Sequence, residues 1–251
     1  MENTEVDLEA LLSVPSVTGY DVSNDDEIVF ASNTTGQFQL YLGKLARDGL
    51  EDCKQLTSDD ESKVSPKFYP DSKKILYASD QQGDEKFNLY TYNIDTSGVS
   101  NLTPGTDFAI FPNATFSDDG KKIAYVSNES GEFATYLLNV DSLRSKRVSN
   151  HEYSDGYAVI TPGGSQIAIS SAISGQDSGI FLASSDNFGK EPLRLLENGV
   201  QIDADQQVWS PDGKKLAFVS SSRGWYDIGI WDIEKDSINW ITKSDHEYSE
   251  P

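Results

Sequence analysis

One cysteine and two histidines are all that 251 residues provide. Cys53 therefore has no partner for an internal disulfide, and a Cys/His metal cluster is excluded by count. Also missing is the Gly-x-Ser-x-Gly elbow that presents a strained serine beside its oxyanion hole. No apolar run approaches the roughly 18 residues that a membrane-spanning helix needs. The opening MENTEVDLEALLSVPSV is acidic and lacks the positive n-region of a secretory signal. Basic residues are scarce: 20 Lys and Arg face 41 Asp and Glu, a net charge of −21. Phosphate binding needs clustered cations, so this balance argues against nucleic acid and against anionic membrane surfaces. The expectation is a soluble, cytoplasmic protein with no cofactor and no metal.

What is present begins with a core. Apolar residues make up 37% and aromatics 11%, too much for disorder. The acids are scattered through turns, which reads as a solvated surface suited to a salty cytoplasm; a field that favours cationic ligands is the alternative.

The chain repeats itself. SNDDEIVFAS from Ser23, YPDSKKILYAS from Tyr69, SDDGKKIAYVS from Ser117, TPGGSQIAISS from Thr161 and SPDGKKLAFVS from Ser210 align, with starts 46, 48, 44 and 49 residues apart. The mean period of about 47 lies just above that of four-stranded propeller blades and well above two-helix repeats. Each copy has one internal order. A short apolar lead-in meets a Pro-Asp-Gly type turn, as at Pro211-Asp212-Gly213, where positive φ is tolerated. An almost wholly apolar run follows (Ile28 to Ala31, Ile75 to Ala78, Ile123 to Val126, Ile167 to Ile169, Leu216 to Val219), and a strand apolar on both faces must be covered on both sides. A polar turn with Gly leads to a third strand. A fourth ends in Leu-Thr or a variant: Leu56-Thr57, Leu102-Thr103, Val148-Ser149, Leu195-Leu196 and Ile241-Thr242. The fold class expected is all-β: a β-propeller of four-stranded antiparallel blades, five repeats over about 17–57, 64–103, 112–149, 156–196 and 205–242, forming an incomplete ring. Residues 1–16 are expected to be a helical segment, with Thr4 as N-cap and Pro15 as its end. HEYSEP at 246–251 copies HEYSDG at His151 to Gly156, so it reads as the start of a further blade, and the chain as cut mid-protein or its gene as split there. A chain cut there is expected to be marginally soluble, with an exposed apolar blade face.

The best copy, Trp209 to Asp232, resembles the WD-like propeller repeat shared by TolB and the prolyl oligopeptidase family of serine peptidases. The five copies carry the likeness over nearly the whole chain. Gly19-Tyr20-Asp21-Val22-Ser23 followed by Ser32 to Tyr41 resembles the first blade of acylaminoacyl-peptidase-like members. That resemblance implies a propeller that caps an α/β-hydrolase domain and restricts entry to short peptides, with the hydrolase domain as partner and peptides as substrates. It carries no catalytic residue onto this chain.

The chemistry-bearing residues have plainer readings. Gly163-Gly164-Ser165-Gln166 falls in a hairpin turn, and His151 and His246 fall in loops between blades. Asp59-Asp60-Glu61, Asp118-Asp119 and the pair Asp203 and Asp205 invite calcium, which needs alternating oxygen ligands and a closing Glu; they read as turns and loops instead. All four tryptophans lie in the fifth repeat. Trp209 and Trp231 sit at strand positions expected in the core, whereas Trp225 follows Arg223-Gly224 in a turn and is expected to be exposed. Arg223, Trp225 and Tyr226 are the residues expected to touch a ligand or a neighbouring domain. A stand-alone TolB-like interaction propeller is the competing function.

Overall fold

A computed structural model describes residues 13–105, 107–186 and 193–243. Among the described residues every regular element is a β-strand, and there is no helix. The helical segment expected over Thr4 to Val14 falls outside the described residues except for Ser13 and Val14, which form a bend into the first strand.

Two compact units, 1–104 and 105–251, divide the chain. The first holds two sheets. β1 (Val17–Val22), β2 (Glu27–Thr35), β3 (Gln37–Ala46) and β4 (Gly49–Gln55) pair antiparallel in that order, and β5 (Lys63–Phe68), β6 (Lys74–Ser79), β7 (Asn88–Asn93) and β8 (Val99–Asn101) do the same. The second unit repeats the arrangement in β9 (Thr115–Phe116), β10 (Lys122–Ser127), β11 (Ala134–Asn139) and β12 (Arg144–Arg147), then in β13 (Ser154–Ile160), β14 (Gln166–Ser174), β15 (Asp177–Ser184) and β16 (Leu193–Arg194). A small hairpin of β17 (Leu196–Glu197) and β18 (Val200–Gln201) precedes the last sheet, β19 (Asp205–Trp209), β20 (Lys215–Ser220), β21 (Asp227–Asp232) and β22 (Ser237–Trp240). These are the blades of a β-propeller.

Burial follows the sequence pattern within each blade. The apolar second strands are buried on both faces, as with Ile75 to Ala78 of β6 and Ile123 to Val126 of β10. The outermost strands β4 and β12, rich in charge, are exposed along their whole length. Each apolar slab is shared by consecutive blades of a unit: Val29, Ala31, Leu40 and Leu42 meet Phe68, Ile75, Tyr77 and Tyr92 in the first unit. In the second, one slab joins Val126 and Leu137 to Ile167 and Phe181, and another joins Ala168 and Leu182 to Leu216, Phe218 and Trp231. Burying one such side chain is worth about 1.5–3 kcal/mol, so stacking faces rather than turns hold the blades.

Directly paired positions of the second and third strands carry stacked rings in three blades: Phe30 with Tyr41, Tyr77 with Tyr90 and Tyr125 with Tyr136, at 5.4, 5.6 and 5.7 Å. In the fifth blade the partner of Phe218 is Gly229, and a Cβ there would sit 2.5 Å from the Phe218 ring. The glycine makes room for a ring that covers its backbone.

The turn between first and second strands is also built alike. In the fifth blade the Ser210 hydroxyl donates to Asp212 (2.6 Å) and accepts from the Lys215 N–H (3.0 Å), while the Gly213 N–H donates to the Ser210 carbonyl (2.8 Å). Ser117, Asp119 and Gly120 repeat this in the third blade, so Asp118-Asp119-Gly120 is a turn. The Leu-Thr signature has a physical reason too. The hydroxyl of Thr57, Thr103, Ser149 and Thr242 accepts the N–H of Leu40, Leu89, Thr135 and Ile228, at the start of each third strand. The fourth repeat departs from expectation. Leu195 pairs with Ile180, but Leu196 has no hydroxyl and opens the extra hairpin rather than ending a Leu-Thr clamp.

Candidate functional site

In a four-stranded antiparallel blade, the turn between second and third strands lies at the same end as the segment leaving the fourth. Gln37, Gln39 and Asp59, the group His151, Asp155 and Ser171, Asp203, and Arg223, Trp225 and Tyr226 all belong to that end of their blades.

At this end each third strand needs polar partners for its first backbone groups, because the chain turns there below a covered sheet. Three blades place a buried polar side chain on the strand itself: Gln39, Asn88 and Asp227. The corresponding residues of the third and fourth blades are Ala134 and Gly179, and a carboxylate arrives from further along the chain. Asp155 accepts the Thr135 N–H (2.7 Å) and Thr135 hydroxyl (2.8 Å); Asp203 accepts the Ser178 N–H (2.8 Å) and the Ser221 hydroxyl. Asp203 and Asp205 are thus a strand cap and its neighbour. Burial first, then the nearby Asp203 charge, raise the Asp205 carboxyl above the usual range.

Asp155 draws together a serine and a histidine, but not as a catalytic triad. The Ser171 hydroxyl donates to Asp155 at 2.7 Å, whereas His151 Nε2 lies 3.5 Å from Ser171 Oγ and 3.3 Å from Asp155 Oδ1. His151 Nδ1 accepts the Tyr153 N–H (3.3 Å), which leaves Nε2 as the protonated nitrogen facing the carboxylate. A base for serine would have to be oriented by the acid from its other nitrogen. The His151 ring stacks on Phe181 at 4.6 Å and its side chain is buried, so it is packed beneath the connection rather than displayed on a loop. Burial, reinforced by Arg147 and Arg194 and opposed by Asp155 and the Tyr153 N–H, lowers its pKa below 6.5. His246 lies outside the described residues.

The three residues expected to meet a ligand divide. Trp225 and Tyr226 are 47% and 42% exposed in the β20–β21 turn. Arg223 is committed to the blade: its guanidinium lies 4.8 Å over Trp240, 3.7 Å from Asp227, and donates to the Thr242 carbonyl. Trp231 is fully buried and Trp209 half-buried, its indole N–H donating to the Val159 carbonyl at 3.0 Å.

In the first blade the same end is open. Thr35, Gln37, Gln39, Gln55 and Ser58 to Asp60 line a cavity of about 250 Å³. The connecting segment above it is pinned by Lys63, whose buried ammonium pairs with Asp59 and donates to the Glu61 carbonyl at 2.9 Å. Asp59-Asp60-Glu61 read from sequence as solvated loop chemistry; Gln39 carried no signal there except as a polar residue opening an apolar strand. Among the described residues no three His, Cys, Asp or Glu side chains converge as metal ligands do.

The family model of the TolB beta propeller domain matches residues 87–251. The chain belongs to the TolB β-propeller family. Of curated relatives, this TolB-family chain is 23% identical over 205 residues to the uncharacterized peptidase YuxL of Bacillus subtilis, covering 77% of the chain and 29% of YuxL. Among solved structures, TolB from Acinetobacter baumannii superposes with a TM-score of 0.64 at 25% identity, covering 89% of the chain and 55% of that structure. A puromycin-hydrolyzing peptidase of Mycobacterium tuberculosis has the same fold, with a TM-score of 0.73 at 13% identity over 95% of the chain and 39% of its own. The chain spans about half or less of the length of the curated relatives it matches.

Proposed function

We propose that the chain is the non-catalytic propeller of a prolyl-oligopeptidase-family serine peptidase, acting in the cytoplasm to select short peptides for an α/β-hydrolase domain that carries the catalytic serine. The observation that carries this reading is the YuxL match, which runs over 77% of the chain and leaves 71% of that peptidase for other parts. The fold likeness to the puromycin-hydrolyzing peptidase supports it. Selection works by exclusion: peptides thin enough to pass the blade ends enter and folded proteins do not. Trp225 and Tyr226 offer an exposed aromatic surface for a peptide or for the hydrolase domain.

The test is made on the whole gene product. A fluorophosphonate probe labels it at a serine outside these 251 residues, and it cleaves short fluorogenic peptides but not a folded protein. Trp225→Ala raises KM for those peptides and leaves kcat unchanged. Absence of labelling and of cleavage removes the reading.

A stand-alone interaction propeller is favoured by one observation, the 25% identity to Acinetobacter TolB over 89% of the chain. It requires a gene product with no reactive serine that captures a protein partner through its blade ends.

A further inference from the structure

Blades stack with a constant polarity. The larger residues Ile75 and Tyr77 of β6 pack against Val29 and Ala31 of β2 in the blade before. Ile167 and Ile169 of β14 meet Ala124 and Val126 of β10, and Leu216 and Phe218 of β20 meet Ala168 of β14. Successive residues of a strand point to opposite faces. Each second strand therefore turns its bulkier side chains back toward the preceding blade and its smaller ones forward, and within each unit large residues seat over small ones.

Two faces made to this rule carry no blade among the described residues. The first is the backward face of the first blade. Val29 and Ala31 are spent on the second blade, so Ile28 and Phe30 look the other way, and their cross-strand partners Val22, Tyr20 and Tyr41 share that face. Tyr20 is 69% and Val22 43% exposed. The second is the forward face of the fifth blade. Leu216 and Phe218 are spent on the fourth blade, which leaves Ala217 facing forward with its partners Val208 and Ile230. Val208 is 50% exposed, and Ile241, one residue beyond Trp240 of the covered face, is 53% exposed. On the inner strands Asp21 and Thr115 reach forward and accept the N–H of Phe68 (2.8 Å) and Ile160 (3.1 Å) in the next blade. The residue paired at that position of the fifth blade is Val208, so its forward face is apolar there too.

Each is an open sheet face rather than a concave pocket, and what seats on a sheet of large side chains is a sheet of small ones. This chain carries one of each. We propose that the backward face of the first blade docks on the forward face of the fifth blade of a second copy, repeating between copies the stacking found within each unit. The contact is heterologous, so copies add head to tail. It is apolar, so it tightens as salt screens the repulsion between chains that each carry a net charge of −21. It does not rest on the peptidase reading: a serine-directed label tests that reading, and the mass of the assembly tests this one.

The test is sedimentation equilibrium of the full 251-residue chain over a range of concentrations and salt, with two variants that set a charge on one face each. The wild type should exceed the mass of one chain, increasingly so with concentration and with added salt. Tyr20→Lys or Val208→Lys should each weaken association about a hundredfold, since either would bury an unpaired ammonium. Both replace exposed side chains, and an unchanged urea midpoint checks that each variant is folded. The deciding sample is an equimolar mixture of the two. The Tyr20→Lys copy keeps its fifth-blade face and the Val208→Lys copy its first-blade face, so the mixture should reach the mass of two chains and stop there. A wild type that stays at one chain, a variant that still associates alone, a mixture that does not pair, or association that salt weakens would each overturn the proposal.

Discussion

The ends of the first and third blades meet the same need with different residues and arrive at opposite states. At the third blade Asp155, brought in from the following strand, takes hydrogen bonds from Thr135 and Ser171 and faces His151, all of them covered. At the first blade Gln39, rooted on its own strand, spends its nitrogen on the connecting segment and leaves its oxygen beside a cavity. A serine, a histidine and an aspartate side by side look like chemistry, but their hydrogen bonds are satisfied among themselves and they act as scaffold. A glutamine and two exposed aspartates look like an ordinary loop, but a buried acceptor there has no partner among the described residues. The unmet hydrogen bond, not the residue type, separates the two ends.

That contrast can be broken most sharply at Asp155. Asp155→Ala strips acceptors from two buried hydroxyls and an imidazole, and should lower unfolding free energy by about 3 kcal/mol in urea denaturation. A change below about 1 kcal/mol would show that the cluster is not sealed. Thr135→Val keeps the shape and removes one donor, and should cost about 1 kcal/mol in the same assay. The third effect depends on pH. His151 has its folded pKa below 6.5, so the unfolded chain takes up the proton first as pH falls. The stability contributed by neutral His151 is complete above about pH 6.5 and is lost progressively below it, until the folded protein also protonates. The difference in urea midpoint between wild type and His151→Gln should therefore shrink as pH drops through that window; a difference that stays constant contradicts the buried neutral ring. The smallest effect belongs to the first-blade end: Asp60→Asn should change stability by less than about 0.5 kcal/mol, since Asp60 is exposed and no ion pair among the described residues uses it.

Much of this architecture is legible in the repeat. The Ser-Pro-Asp-Gly turn, the doubly buried second strand and the Leu-Thr ending can all be read from five aligned copies, because each depends on residues a few positions apart. Trp225 could be read as exposed from its turn and Trp231 as buried from its strand. The sites are less legible. Asp155 caps Thr135 across 20 residues, and Gln39 meets Asp59 and Glu61 across 20 and 22, so neither contact exists until two segments are folded together. His151 reads as a loop residue by position and is one, but its burial against the ring of Phe181 depends on a contact 30 residues away. Leu196 shows the reverse error, in which a repeat position keeps its place in the alignment while losing the hydroxyl that gave it a role.

The borrowed caps carry a consequence for how the chain is made. Asp155 belongs to the lead-in strand of the fourth blade yet closes the third, and Asp203 precedes the fifth yet closes the fourth. The third and fourth blades, emerging from the ribosome, thus stay unlatched until the opening residues of the next blade follow them out. For these two blades completion follows the order of synthesis.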